Sequence, residues 1–72
     1  MDDYAESAHY EIRVRGVLSE ALLGAFPSLD ADARDGETVL TGTLADQAAL
    51  YGVLAQIEAL GLDLIEVRRA RS

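Results

Sequence analysis

Apolar and polar side chains alternate from Tyr10 to Gly16, with Tyr10, Ile12 and Val14 on one side and Glu11, Arg13 and Arg15 on the other. A period of two is that of a half-buried strand. Ser19 then offers an N-cap, and Glu20 to Phe26 places Leu22, Leu23 and Phe26 on one stripe before Pro27, which predicts a short first helix. Asp30 to Arg34 reads Asp, Ala, Asp, Ala, Arg and predicts a weak strand with small inward side chains. Asp35-Gly36 is the dipeptide of a type I′ hairpin turn, so the β-branched run Glu37 to Thr43 is expected to pair antiparallel with it. Asp46 caps a second helix from Gln47 to Leu60, whose Leu50, Val53, Leu54, Ile57 and Leu60 recur at helical spacing. Gly61 stands where a left-handed residue ends a helix, and Leu62 to Arg69 predicts a fourth strand.

The order β, α, β, β, α, β is that of the split βαβ motif. It predicts an α+β fold of the ferredoxin-like plait type, a four-stranded antiparallel sheet with both helices on one face. The expected spatial order is fourth, first, third, second. Arg13 or Arg15 then faces Glu66, and Glu11 faces Arg68, across the open side. Residues 1 to 8, with Asp2, Asp3 and Glu6, read as a disordered acidic leader, and residues 9 to 70 as one domain.

Composition narrows the functions open to this scaffold. The chain has 72 residues and a net charge of −7 from 13 acidic and 6 basic residues, and it lacks cysteine. Disulfides, thiolate zinc sites and thiol catalysis are therefore excluded. The acidic balance disfavours nucleic acid and anionic membrane as partners, because the net field repels phosphate. No run of about 18 apolar residues is present, and the start lacks the basic region of a signal peptide, so a cytoplasmic location is expected. A chain this short buries only about 60% of its unfolded surface, which leaves a marginal core and makes a partner valuable.

Candidate chemistry is sparse. His9 is the sole histidine and has no carboxylate at ligand spacing, so it reads as a surface residue. Asp30, Asp32, Asp35 and Glu37 resemble a calcium loop only superficially: counted from Asp30, the sixth position is Asp35 where glycine belongs and the twelfth is Thr41. The cluster reads as a guarded edge strand. Arg13, Arg15, Arg68, Arg69 and Arg71 suggest a basic stripe, but Glu11 and Glu66 are interspersed and aromatics are lacking, against nucleic-acid binding. Tyr51 is a candidate exposed aromatic, and Gly52 inside the second helix suggests close approach by another backbone or ring. Neither a glycine-rich phosphate cradle nor a nucleophile elbow is found. The chain is accordingly expected to be no enzyme and to need no cofactor or metal.

The strings Tyr10 to Gly16, Asp46-Gln47-Ala48-Ala49-Leu50, Gly52-Val53-Leu54, Leu60-Gly61-Leu62 and Val67-Arg68-Arg69 together resemble a group of short, uncharacterised, chiefly actinobacterial proteins. That group has a "DQAALxGVL" helix and an "LGL" exit into the final strand. Its members often carry histidine where Tyr51 stands and tryptophan in the first helix, where this chain keeps Phe26. The resemblance supports the fold and implies no catalytic residue.

The leading expectation is a non-catalytic interaction module acting as a homodimer. Leu64, Ile65 and Val67 leave the final strand far less guarded than residues 30 to 34. Strand addition there, or packing of open sheet faces, is expected to use Leu64, Ile65, Arg68, Leu40 and Arg13. An alternative is a small-ligand regulatory domain with its ligand at the Gly16 to Ser19 junction, and another is an accessory subunit bound to an unidentified protein partner.

Overall fold

The computed structural model describes residues 8–70. Six elements follow in order: β1 (Ala8–Arg15), α1 (Glu20–Leu23), β2 (Asp30–Arg34), β3 (Glu37–Leu44), α2 (Gln47–Ala59) and β4 (Leu64–Ala70). The chain is thus α+β, with a four-stranded antiparallel sheet and two helices. The strands lie in the order β2-β3-β1-β4. Residues 1–7 of the expected leader fall outside the described residues, and Ala8 already belongs to β1.

The alternation in β1 sets the layering. Ile12 and Val14 are fully buried, and with Leu40 of β3, Ile57 of α2 and Phe26 they make the core. Leu18, Leu23 and Leu29 from the first half and Leu50, Val53 and Leu54 from α2 pack against it, so both helical segments serve one cluster. Cross-strand partners share a face of the sheet. Ile12 pairs with Leu40 and Val67 on the core side, whereas Arg13 pairs with Val39 and Glu66 on the opposite side.

Local chemistry fixes the element ends. Asp35 at φ 52° and Gly36 at φ 78° close the β2–β3 hairpin as a type I′ turn, the conformation whose twist matches the flanking strands. The Asp46 carboxylate accepts from the Ala49 amide at 2.9 Å and starts α2. Past Leu60, the Leu62 amide donates to the Ile57 carbonyl and the Gly61 amide to Glu58, the paired bonds of a Schellman ending. This turn takes up Leu62, so β4 begins at Leu64 and not at Leu62.

The first helix is also shorter than its apolar stripe suggests. It ends at Leu23, and the Ala25 and Phe26 amides donate to Leu22 and Leu23, three residues back. Gly24 is a poor helix former, and the residue before Pro27 is driven out of helical geometry, so the chain tightens into turns that still deliver Phe26 to the core. On β3, a Cβ at Gly42 would stand 2.7 Å from Leu29 Cδ2 and 2.9 Å from the Ser28 carbonyl oxygen. The loop behind Pro27 therefore lies directly on the strand.

Candidate interaction surface

The two sheet edges differ in chemistry. β2 is exposed at every position, and Arg34 Nε donates to Asp32 Oδ2 at 2.8 Å along it. Asp30 and Asp32 guard this edge with charge. Its Ala31 and Ala33 share the core-side face with Leu40 and Thr38 but are exposed. β4 forms the other edge, and among the described residues only β1 pairs with it.

On β4, Leu64 is 46% exposed, Ile65 40% and Val67 36%. Leu64 and Val67 stand opposite Val14 and Ile12, so they sit at the rim of the core layer. The register shifts between Arg13 and Val14, where Glu66 and then Leu64 are the partners. Ile65 is the extra residue of this bulge. Glu66 and Arg68 lie on the opposite face, facing Arg13 and Glu11 as the alternation predicts.

Arg13 is the centre of that charged face. Its guanidinium lies 3.5 Å from Glu37, 3.5 Å from Glu66 and 4.0 Å from Glu11. Glu66 also accepts from Arg68 Nη2 at 3.0 Å, and Arg15 lies 3.7 Å from Asp63. Arg13 thus belongs to a network that holds Glu66 from behind, and the bridge to Glu37 is one that sequence spacing does not reveal. Arg69 pairs with Tyr10 on the core side, so the arginines divide between two faces, and Arg71 lies outside the described residues.

Leu40 requires a correction. It is fully buried in the core opposite Ile12, so it cannot line an interface without opening the core. The residue of β3 on the opposite face is Val39, which is itself 6% exposed. Packing of open sheet faces through Leu64 and Leu40 is ruled out on the same ground, since both lie on the core side.

The Gly16 to Ser19 junction is occupied by internal bonds. The Gly16 amide donates to the Gly36 carbonyl at 2.7 Å, and its carbonyl accepts from Thr38 Oγ1 at 2.7 Å. Thr38 Oγ1 in turn accepts from the Leu18 amide at 3.1 Å. Ser19 Oγ accepts from the Leu22 amide at 3.3 Å as the cap of α1. Gly16 adopts φ 95°, which turns the chain from β1 toward that cap. Each residue has a structural task here, and the clamp residue Thr38, a buried polar group in a run of β-branched residues, carries no distinguishing sequence signal.

The remaining candidates stand apart. His9 Nδ1 lies 3.3 Å from Thr43 Oγ1 on the exposed face. Among the described residues, no group of three or more histidines and carboxylates is placed to hold a metal ion. Tyr51 is 60% exposed. Gly52 is exposed, and a Cβ there would meet nothing within 4 Å, so the expected close approach is absent. No helix among the described residues is long and apolar enough to cross a membrane.

A family model described as a domain of unknown function (DUF8691) matches residues 9–68, a span that takes in β1 through most of β4. No curated protein and no solved structure matches the chain.

Proposed function

The chain belongs to the DUF8691 family of domains of unknown function, and for it we propose a non-catalytic interaction module that acts as a homodimer through the outer edge of β4. The observation that carries this reading is the contrast between the edges. β2 is lined with charge, while β4 exposes Leu64, Ile65 and Val67 beside one another. β4 also carries Glu66, Arg68 and Arg69, but its exposed apolar side chains make it the better template for another strand, since β2 offers only alanine between its charges. The core adds a motive, since among the described residues the largest fully buried side chains are just Ile12, Leu40, Ile57 and Val14.

We read the architecture as a ferredoxin-like plait. From the opposite edge the strand order β2-β3-β1-β4 is β4-β1-β3-β2, and the split βαβ halves place β1 beside β4. The actinobacterial source rests on the sequence resemblance alone.

Light scattering after gel filtration tests the proposal. A mass twice that of the 7.7 kDa chain at micromolar concentration is the expected result. A monomer throughout that range overturns it.

A further inference from the structure

We infer that the occupant of the β4 edge is the β4 of a second copy, antiparallel and in one register, with the twofold axis passing at Val67. This inference rests on the interaction-module reading and adds the register to it.

The backbone supplies the first restriction. In an antiparallel ladder a residue points its amide and carbonyl to the same neighbour, and successive residues alternate. The Arg15 amide donates to Asp63 beside β4, and the Gly16 amide donates to Gly36 beside β3. Odd-numbered residues of β1 therefore address β4. Because Arg13 pairs with Glu66 and Glu11 with Arg68, those two residues of β4 turn their backbone inward. Val67 and Arg69 turn theirs outward, where no other described strand pairs with them.

A twofold axis across a shared edge brings the two strands together antiparallel. Outward backbone must meet outward backbone, so the axis passes at a residue and not between two. Three positions keep most of the strand paired. An axis at Glu66 sets two glutamates face to face, and one at Arg68 sets two arginines face to face. Like charges directly opposite destabilise a ladder. An axis at Val67 instead sets Glu66 opposite the partner's Arg68, and Arg68 opposite the partner's Glu66.

That axis also centres the pairing on the regular stretch Glu66–Arg68, since the bulge puts Leu64 out of phase with Ala70, and it joins the two exposed Val67 side chains on the core side. The bulge at Ile65 leaves Glu66, Val67 and Arg68 on its regular side. Charge complementarity and apolar burial thus select the same register.

Single-cysteine variants at positions 65 to 69, made one at a time in a chain that has no cysteine of its own, read the axis directly. Across a hydrogen-bonded antiparallel pair the Cα atoms lie about 5.5 Å apart, within disulfide reach. Val67→Cys is expected to oxidise to a linked dimer fastest. Arg69→Cys, whose two copies would be offset by about 13 Å along the strand, is expected to lag well behind.

A charge test needs no new covalent bond. Glu66→Arg and Arg68→Glu are each expected to weaken self-association by about tenfold or more, and an equimolar mixture of the two to recover it as a heterodimer. Circular dichroism establishes that each variant is folded. A chain that is dimeric by light scattering but links fastest at 65, 66, 68 or 69, or whose charge variants do not rescue each other, overturns the register and leaves the interaction module standing. A monomeric parent chain overturns both.

Discussion

Thr38 Oγ1 donates to the Gly16 carbonyl at 2.7 Å and, through the same oxygen, accepts from the Leu18 amide at 3.1 Å. One side chain of β3 thereby ties down both backbone groups of the turn that leaves β1. Thr38 is 2% exposed, so neither bond is readily replaced by water. Thr38→Val keeps the shape and orphans both groups, and it is expected to lower stability by about 2 kcal/mol. Thr38→Ser keeps the hydroxyl that makes both bonds and should lose much less. Urea denaturation measures both, at fixed protein concentration because the proposed self-association would contribute to apparent stability.

Two glycines predict opposite responses to the same substitution. Gly52→Ala fills open space in the exposed middle of α2 and is expected to stabilise the chain by about 0.5–1 kcal/mol. Gly42→Ala drives a methyl group into Leu29 and the Ser28 carbonyl and is expected to cost about 1–3 kcal/mol. Thermal melts of the pair check the sign in each case.

Removing the centre of the charged face leaves three carboxylates without their shared cation. Arg13→Ala is expected to cost about 1 kcal/mol, a small value because the groups involved are each more than a third exposed and screened by water. The loss should shrink as sodium chloride is raised toward 1 M, where screening operates over about 3 Å. A loss independent of salt would assign the effect of Arg13 to packing of its stem.

The start of α2 depends on a single carboxylate. Asp46→Ala removes the acceptor for the Ala49 amide and is expected to destabilise by about 1 kcal/mol, whereas Asp46→Asn should cost little. Chemical denaturation separates the two.

Legibility in the sequence followed the strength of local signals. The alternation of β1, the Asp35-Gly36 turn, the Asp46 cap and the Gly61 stop are each set by neighbours a few residues away, and the structure has them where the pattern puts them. β3 behaves differently. Thr38, Val39 and Leu40 are buried in succession, so the strand has no period of two from which to choose a face, and Leu40 was legible as apolar but not as core. The clearance at Gly42 depends on Ser28 and Leu29, more than ten positions earlier, and nothing local announces it. The bulge at Ile65 was equally hidden, because it follows from how β4 meets β1 and not from the order of residues within β4.

The inequality of the two edges sets a limit on growth. A sheet extended across β4 would carry β2 at both outer ends, and there the next strand meets Asp30, Asp32 and Arg34. Such an assembly has spent its receptive surface after a single addition. In the proposed dimer both remaining edges are therefore charged ones, which disfavours growth beyond two copies.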